Sequence, residues 1–459
     1  MIDLSHLKGR RYGVFGLGRT GMATVRALLA AGANVIVWDD NPDLQVNAEK
    51  EGAEVVDFKV APLSFLEAIV WSPGAPFLAP KPLAAASAAR RQGVPLISDI
   101  QLLLEAGHGA GVIGVTGSNG KSTTTALIGH ILERAGKTVA VGGNLGPPAL
   151  GLEQLNSNGL YVLELSSYQL ELTPRPHFDI SICLNVEPDH LDRHGGLHNY
   201  AAQKRRIFNN CGIAIIGTDD AHGRWLLTHM MRTGTTIEIS NEKILPEGIS
   251  AHENWLYDNA RPVFDFRLAR ALKGQHNQQN AAAAYATARA VGLSANEIIP
   301  SLQSFDGLPH RQALIRQIQH VSYVNDSKAT NAAAAAKALS SFERIYWIAG
   351  GLPKDGGLKD TNEWLGRVVK AYLIGQASAS FKSQLSQMAP DLKAIELHTI
   401  DAALAAAHSD AQTDPKPSVV LLSPACASFD QFKNYEDRGN AFAGLVTNLK
   451  SPEPRGAAA

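Results

Sequence analysis

The chain has 459 residues and a formal net charge of −1, with 42 Lys and Arg against 43 Asp and Glu. This length exceeds what one hydrophobic core usually supports, so we expect two or three domains, and the balanced charge argues against binding to nucleic acid or anionic membranes. The three cysteines lack CxxC spacing, so we expect neither disulfides nor a zinc site. The first residues lack the apolar run of a secretion leader, and no run of about 18 apolar residues occurs, so we expect a soluble cytoplasmic protein.

The first predicted unit carries a glycine-rich turn at 16–21, between a strand at 11–15 and a helix that ends near Gly32. A second strand follows and ends at Asp39, where an acceptor for a ribose hydroxyl belongs in a dinucleotide-type fold. Ser72 follows another short strand and lies in a turn that can line the same crevice. The pattern predicts a diphosphate ligand without identifying it, and a plain glycine turn is the alternative. We expect this domain to end near Asp99.

The segment 111–125 has the order of a phosphate-binding loop, with an apolar strand, a glycine turn, Lys121, hydroxyl residues and an amphipathic helix. Backbone N–H groups at the start of that helix favour phosphate oxygens. Lys121 is expected to reach the β- and γ-phosphates, and the Ser122 hydroxyl is expected to bind Mg²⁺. The usual pattern has a further glycine where this chain has Val115. A plain glycine turn is again the alternative.

The next strands predict acidic and imidazole side chains at the same edge of the sheet. Glu164 ends a buried strand, and a buried glutamate is costly unless it is paired or bound to metal, so we predict that it binds Mg²⁺. Asn144 follows a neighbouring strand. Asp189 and His190 follow a third, where they can bind a hard cation or form only a polar loop.

The segment 199–208 predicts a helix, and its run Lys204-Arg205-Arg206 is by itself typical of a solvated face. Strands and a β-hairpin are predicted around 235–240 and 262–269. Asn277 and Asn280 lie on one face at the start of a further helix. They can recognise an adenine edge or cap that helix.

A third predicted unit follows a hinge near Gly307, and its strands alternate with helices. One strand leads into a loop at 326–331, another leads to Gly350-Gly351 and Lys354, and the last leads into 424–439. Ser428 in that last segment can also cap a helix from Phe429. The fold class is therefore α/β with three doubly wound, mainly parallel sheets, in domains at 1–99 (Rossmann-like), 100–307 (P-loop ATPase) and 308–459 (Rossmann-like).

Several motifs together resemble the Mur ligase family from end to end. They are GVTGSNGKST, GGNLG, LELSSYQLE, LNVEPDHLDRH, GQHNQQN, GLPHR, NDSKATN and SPACASFDQFKNYEDRG. The third-domain motifs are similar to those of the family member that adds D-glutamate. This resemblance implies that ATP phosphorylates the alanine carboxylate of UDP-N-acetylmuramoyl-L-alanine, and that the D-glutamate amine then attacks the acyl phosphate. It also implies Mg²⁺, in two sites. From the balanced charge we expect no nucleic-acid or membrane partner, and we expect a monomer.

The resemblance also implies roles for individual residues. It assigns ATP binding to Gly117, Ser118, Asn119, Gly120, Lys121, Ser122, Thr123, Asn277, Asn280, Arg311 and Asp326. It assigns catalysis to Lys121, Lys204, His190 and Lys328, and it implies that domain closure brings in Asp326 and Lys328. It assigns metal binding to Ser122, Glu164, His190 and Lys204, the last as a carbamate. It assigns binding of the uridine-nucleotide substrate to Gly18, Thr20, Asp39, Ser72 and Asn144. It assigns binding of D-glutamate to Thr330, Lys354, Ser428 and Tyr435. The residues Leu352-Pro353 before Lys354 depart from the glycine-rich family pattern.

Three other functions remain open at this stage. An NAD-dependent dehydrogenase would use the glycine turn at 16–21 but would leave the phosphate-binding loop and its acids unexplained. A regulatory ATPase would hydrolyse ATP without an amino-acid acceptor. A folate–polyglutamate ligase would also join glutamate through an acyl phosphate. ADP release with and without each acceptor discriminates among them.

Overall fold

The computed structural model describes residues 1–78, 81–107, 109–230, 234–272, 274–353 and 356–449. The chain divides into two compact units, Met1–Phe305 and Asp306–Ala459. The α/β class predicted from the sequence is confirmed, because helices alternate with strands along most of the described chain and most strand pairs are parallel. In the described parts of the chain, no helix is long and apolar enough to cross a membrane. Lys354 lies outside the described residues.

The first sheet of unit 1 is parallel, with five described strands in the order β3-β2-β1-β4-β5. Its strands are β1 (Arg11–Phe15), β2 (Asn34–Trp38), β3 (Glu54–Val55), β4 (Ala68–Trp71) and β5 (Leu96–Ile97), and its helices are α1 (Arg19–Ala30), α2 (Pro42–Lys50), α3 (Ala84–Arg91) and α4 (Asp99–Glu105). The glycine turn joins the central strand β1 to α1. It therefore lies at the carboxyl edge of the sheet, where α/β proteins bind ligands.

The second sheet of unit 1 has nine described strands in the order β14-β13-β12-β11-β10-β9-β6-β8-β7. Its strands are β6 (Gly111–Thr116), β7 (Thr138–Gly143), β8 (Gly159–Glu164), β9 (Phe178–Cys183), β10 (Cys211–Gly217), β11 (Thr235–Ser240), β12 (Ile249–His252), β13 (Trp255–Asp258) and β14 (Arg261–Asp265). Its helices are α5 (Lys121–Arg134), α6 (Ser167–Glu171), α7 (Leu191–His194), α8 (Leu197–Arg205), α9 (Ala221–His229), α10 (Gln275–Ala290) and α11 (Ala295–Ser304).

The predicted hairpin is partly wrong. The strand β11 pairs parallel to β10 because helix α9 provides the crossover between them, whereas β12, β13 and β14 form the antiparallel edge. At the other side of the sheet, β6 lies between β8 and β9. Three successive carboxyl ends therefore meet around the loop that follows β6.

The two sheets of unit 1 share a buried core. Ile2, Leu28, Leu150 and Tyr161 belong to one continuous apolar cluster that includes residues from both sheets. At the junction, the Ser98 N–H donates to the Leu172 carbonyl at 2.7 Å. The predicted first and central domains therefore lie within one compact unit.

Unit 2 has one sheet with six described strands in the order β15-β16-β20-β17-β18-β19, parallel except for β15. Its strands are β15 (Ala313–Ile318), β16 (Val321–Asn325), β17 (Ile345–Gly350), β18 (Val368–Ile374), β19 (Lys393–His398) and β20 (Ser418–Leu422), and its helices are α12 (Ala332–Leu339), α13 (Ser378–Met388), α14 (Ile400–Thr413) and α15 (Tyr435–Thr447). The loops after the adjacent strands β16 and β20 carry the NDSKATN and SPACASF motifs. Neighbouring parallel strands place these loops at one edge.

Candidate active site

The loop 117–120 joins β6 to α5 through two glycines in the left-handed region of the backbone, Gly117 at φ 153° and Gly120 at φ 83°. A Cβ atom added to Gly120 would lie 2.0 Å from the Asn280 side-chain oxygen. Only glycine therefore allows α10 to approach the loop this closely. The loop ends at the N-terminus of α5, whose first N–H groups have no partner within the helix and favour an anion.

The amides of Ser118 and Asn119 are held by the connection that follows the neighbouring strand β9. The Ser118 N–H donates to the Asn185 main-chain oxygen at 3.0 Å, and the Asn119 N–H donates to the Asn185 side-chain oxygen at 2.9 Å. The Ser118 hydroxyl donates to the Glu187 carbonyl at 2.9 Å and lies 3.2 Å from the Tyr200 hydroxyl. Ser118 and Asn119 therefore fix the shape of the loop, and the amides that follow them are the ones positioned for phosphate.

Lys121 is the first residue of α5, and its side chain folds back over the loop. Its Nζ donates to the Gly117 and Ser118 carbonyl oxygens, both at 2.8 Å. The ammonium group is thus held above the turn that would surround a polyphosphate. An ammonium group placed in this way can neutralise the charge of a phosphate that binds in the turn.

Lys204 on α8 is buried, with 1% of its surface exposed, although the sequence run alone is typical of a solvated face. Its Nζ donates to the Gly117 carbonyl at 2.8 Å and lies 4.5 Å from the centre of the Tyr200 ring. Burial, assisted by the nearby positive charge of Lys121, lowers the pKa of Lys204 to about 7. The resemblance, and not the helical pattern, identified this lysine.

Glu164 lies at the end of β8, where the sequence predicted it, and pairs in register with Val115 just before the loop. It is 2% exposed. The Asn144 side-chain amide donates to one carboxylate oxygen at 2.6 Å. The other oxygen, Oε2, is buried and has no hydrogen-bond partner among the described residues. A buried carboxylate oxygen of this kind is costly unless a cation compensates it.

His190 occupies the N-cap position just before α7 and has a left-handed backbone at φ 52°. Its Nε2 lies 3.5 Å from an Asp189 carboxylate oxygen, and both side chains are partly exposed. The nearby His194 is buried and lies 3.0 Å from the Ser167 hydroxyl, and burial lowers the pKa of His194 to about 4. His194 is therefore held neutral in the packed layer, whereas the His190 side chain is exposed to solvent.

The donor set fits Mg²⁺ chemically. Among the described residues, no group of three or more His, Cys, Asp or Glu side chains could hold a metal. The predicted set has only Glu164 and His190 of those types, and its other donors are the Ser122 hydroxyl and a carbamate on Lys204. Hard oxygen donors of this kind suit Mg²⁺, which also keeps several waters. The orphaned Glu164 oxygen is the observation that favours a cation here.

The start of α10 does not use either predicted asparagine as a cap. Gly274 occupies the N-cap position and no side chain caps the helix there. Asn280 is buried against Gly120, and its amide lies 3.4 Å from the Asn277 side-chain oxygen. The capping alternative is therefore wrong; Asn280 lies beside the loop 117–120, and Asn277 lies next to Asn280.

The glycine turn of the first sheet is braced by Asp39. Its carboxylate accepts the Leu17 N–H at 2.7 Å and the Asn41 N–H at 2.8 Å. Ser72 lies directly against the turn, since a Cβ on Gly16 would meet the Ser72 Cβ at 2.5 Å. The predicted substrate residues Gly18 and Thr20 lie at the start of α1 in the same turn.

The same turn contacts the second sheet of unit 1. The Arg19 guanidinium donates to the Gly146 carbonyl, in the connection that also carries Asn144. Because Asn144 bonds Glu164, this connection links the glycine turn to the acidic end of β8. Two hydrogen bonds, from Arg19 to Gly146 and from Asn144 to Glu164, thus connect the turn predicted for the uridine nucleotide with the carboxylate predicted for metal.

In unit 2, Asp326 is buried at the end of β16. Its carboxylate accepts the Ser423 hydroxyl at 2.9 Å and the Gln312 N–H at 3.1 Å. Burial raises the pKa of Asp326 to about 7. Lys328 follows in the same loop, with its Nζ 5.5 Å from the centre of the Tyr435 ring.

The segment after β20 differs from its prediction. Helix α15 begins at Tyr435 and not near Phe429, and the Asn434 side chain caps it by accepting the Asp437 N–H at 2.7 Å. Ser428 therefore does not cap this helix. It is buried just after β20, in a turn where its carbonyl accepts the Phe432 N–H. Thr330 is half-buried in the neighbouring loop.

Arg438 is a central residue that the sequence analysis did not single out. It is 1% exposed, and its guanidinium donates to the Ser327 hydroxyl and carbonyl and to the Cys426 carbonyl at 3.0, 2.9 and 3.1 Å. Burial lowers the pKa of Arg438 to about 10. It therefore clamps the two loops that carry the predicted D-glutamate residues.

The chain is similar to known proteins over nearly its whole length. The Mur ligase middle domain family matches residues 115–288, which contain the loop 117–120, Glu164, Lys204 and the start of α10. The chain is 45% identical over 464 residues to the UDP-N-acetylmuramoylalanine–D-glutamate ligase of Phenylobacterium zucineum, covering 98% of each chain. It is 46% identical to the protein of the same name from Paramagnetospirillum magneticum, covering 97% and 98%. The chain belongs to the Mur ligase family.

Solved Mur ligase structures share the fold at much lower identity. The UDP-N-acetylmuramate-alanine ligase of Thermotoga maritima has a TM-score of 0.59 at 16% identity, over 96% of this chain and 100% of that one. MurF from Acinetobacter baumannii also has a TM-score of 0.59, at 20% identity, over 97% and 93%. This Mur ligase therefore has the three-sheet α/β architecture predicted from its sequence.

Within this Mur ligase, unit 1 brings together Lys121, Lys204, Asn280 and the loop 117–120. Arg311, Asp326, Lys328, Thr330, Ser428 and Tyr435 lie in unit 2. The sequence analysis missed the bracing residues Asn185 and Tyr200. Asn185 stood in the LNVEPDHLDRH motif, so its place after a strand was the available signal.

Proposed function

We propose that this Mur ligase joins D-glutamate to UDP-N-acetylmuramoyl-L-alanine in the cytoplasm, with conversion of ATP to ADP and phosphate. The close relatives named for this reaction support the substrates. The observation that carries the chemistry is the convergence of Lys121 and Lys204 on the Gly117 carbonyl at the start of the phosphate-binding loop. We also propose that the enzyme acts as a monomer.

The reaction needs an activated carboxylate. An alanine carboxylate oxygen attacks the γ-phosphorus of ATP, the bond to the ADP oxygen breaks, and an acyl phosphate forms. The D-glutamate nitrogen then attacks the acyl carbon, loses a proton, and phosphate leaves. Both reactants of the first step are anions, so positive charge and oriented N–H groups must neutralise them. Lys121 and the amides at the start of α5 provide both.

Mg²⁺ fits the acidic side of the loop, held by Glu164, Ser122, His190 and a carbamate on Lys204. When bound, it would neutralise phosphate charge and polarise the phosphoryl group. Two such ions are proposed, as the family resemblance implies. Asn144 orients Glu164 by donating to one of its oxygens. The lowered pKa of Lys204 favours the neutral amine that carbamate formation requires.

Residues are assigned to the uridine diphosphate, to D-glutamate and to ATP by the hydrogen-bonding groups that each ligand requires. The turn braced by Asp39, with Gly18, Thr20 and Ser72, offers backbone N–H groups and a hydroxyl for the uridine diphosphate. Thr330, Ser428 and the α15 start at Tyr435 offer donors for the second carboxylate of D-glutamate, together with Lys354. Asn277 and Asn280 are proposed to bind the adenine side of ATP, and Arg311, Asp326 and Lys328 to complete its site.

The test is the dependence of ADP and phosphate release on each substrate. We expect release only when ATP, Mg²⁺, UDP-N-acetylmuramoyl-L-alanine and D-glutamate are all present, with one product peptide bond per ADP by mass spectrometry. ADP release of equal rate without D-glutamate would indicate a regulatory ATPase. Release supported by a folate acceptor in place of the uridine nucleotide would indicate the other glutamate ligase. Enhanced NADH fluorescence on titration would indicate a dehydrogenase site.

A further inference from the structure

A chain of side-chain amides connects the phosphate-binding loop to α10 and to Asp219, which lies in the loop after β10. The Asn119 N–H donates to the Asn185 side-chain oxygen at 2.9 Å. The Asn185 amide nitrogen donates to the Gln279 side-chain oxygen at 3.1 Å, and the Gln279 amide nitrogen donates to an Asp219 carboxylate oxygen at 3.2 Å. These four residues form what we call the amide relay.

The direction of every bond in the amide relay is fixed by its two ends. Asp219, when ionised, can only accept hydrogen bonds, and a main-chain N–H can only donate. Gln279 must therefore turn its nitrogen to Asp219 and its oxygen to Asn185. Asn185 must then turn its oxygen to Asn119. This polarity does not depend on choosing between the O and N positions of either amide from their shapes.

The acidic end of the amide relay is itself anchored. The Ser240 hydroxyl donates to one Asp219 oxygen at 2.5 Å, and the Asn241 N–H donates to the other at 2.9 Å. Gln279 is 7% exposed, so an unpaired amide at this place would be costly. The carboxylate thus acts on the loop through two intervening amides.

The amide relay decides which way the Asn119 amide faces, because Asn119 is the loop residue whose N–H bonds the Asn185 side chain. Asn185 accepts the Asn119 N–H through its side chain and the Ser118 N–H through its main chain. If the Asn185 amide reversed, its nitrogen would oppose the Asn119 N–H, and the loop would lose an acceptor. The loop conformation that presents the following amides to phosphate would then be less populated, and ATP would bind more weakly.

We propose that Gln279 is a positioning residue for ATP, which acts by fixing the orientation of the Asn185 amide and thereby the loop 117–120. The inference rests on the proposed function only in taking ATP as the ligand of this loop. Gln279 makes no contact with the reacting atoms in this role. Its loss should therefore change the affinity for ATP more than the rate of the chemical step.

The experiment measures ATP binding by calorimetry and full kinetics for Gln279→Met, which removes both relay bonds at similar side-chain length. We expect the Kd and KM for ATP to rise about 5- to 50-fold, as loss of a buried polar partner implies, with kcat within about threefold. The matched control is Gln278→Met on the same helix. Gln278 is also buried and also loses one amide bond, to Asn254, but it lies outside the amide relay.

A second variant, Gln279→Glu, provides a signature that general destabilisation would not produce. The introduced carboxyl must share a proton with Asp219, so its pKa is raised. At pH 6.5 the protonated form donates to Asp219 and accepts from Asn185, and the KM for ATP relative to the unaltered protein should be near one. At pH 9 the ionised form repels Asp219, and this ratio should rise.

Equal effects of Gln279→Met and Gln278→Met on the Kd for ATP would overturn the positioning role, as would a pH-independent ratio for Gln279→Glu. Calorimetry separates this failure from failure of the proposed function. If the unaltered protein binds ATP but does not couple it to D-glutamate, the proposed reaction is wrong and the effect of Gln279 on ATP affinity still decides the inference. If it binds no ATP, both are wrong.

Discussion

Lys204 is expected to carry a carbamate in the active protein, and its environment gives the size of the effect. With a pKa of about 7, about 90% of the amine is neutral at pH 8, against about 0.4% for an ordinary lysine. Only the neutral amine attacks CO₂, so burial raises the reactive fraction about 200-fold. The product is an anion that replaces the buried amine beside the Gly117 carbonyl and can hold Mg²⁺.

The sign of the pH dependence follows from the lowered pKa. Carbamate formation should fall as the pH drops below about 7, because the amine becomes protonated, and should be nearly constant between pH 8 and 9. The assay is ¹³C NMR of protein equilibrated with labelled bicarbonate and Mg²⁺. We expect one slow-exchanging carbamate signal that is absent in Lys204→Ala and Lys204→Arg. Arginine keeps its charge and cannot form this adduct.

Activity provides the second readout. Lys204→Ala should lose about two to three powers of ten in kcat, since it removes a charge that supports phosphoryl transfer, and short carboxylates should partly restore it. Lys204→Arg should be inactive and should not respond to carboxylates. The control is Lys137→Ala, at an exposed position after α5, which should behave like the unaltered protein. A fully active Lys204→Arg, or a carbamate signal that persists in Lys204→Ala, would refute the reasoning.

Three further outcomes test other parts of the site. Lys121→Ala should abolish ADP formation, by about two to three powers of ten, while calorimetry still detects binding of the uridine nucleotide at the other glycine turn. Asp39→Ala should raise the KM for the uridine nucleotide about tenfold or more and leave the KM for ATP unchanged, because two buttressing N–H bonds are lost from the turn. Arg438→Lys should lower stability by about 2–4 kcal/mol in thermal denaturation, since one ammonium cannot bridge both loops; an unchanged melting temperature would contradict the clamp.

The placement of the candidate site could be predicted because it depends on local patterns. The apolar strand, the glycines and the helix fixed the position of the loop 117–120. Glu164 was placed by its position at the end of an apolar run. In a parallel sheet such ends meet at one edge, and the register of Val115 with Glu164 places the two in neighbouring strands. No contact between distant residues was needed for these predictions.

The buried charges could not be predicted in this way. The run around Lys204 resembles a solvated face, because the local sequence does not encode the Gly117 carbonyl and the Tyr200 ring that the lysine meets after the chain folds. Arg438 poses the same problem, since its partners come from loops about 12 and 111 residues away in sequence. Each buried cation costs free energy that only such distant partners offset.

This difference also explains why the two buried cations have different uses. Arg438 keeps its proton, since guanidinium remains charged even with a pKa lowered to about 10, and its several N–H groups suit a permanent clamp between loops. Lys204 has one nitrogen whose pKa falls to about 7, so the same burial leaves it close to losing its proton at physiological pH. Burial of Arg438 therefore produces a permanent hydrogen-bonded link between two loops, whereas burial of Lys204 beside the phosphate-binding loop produces a reactive amine.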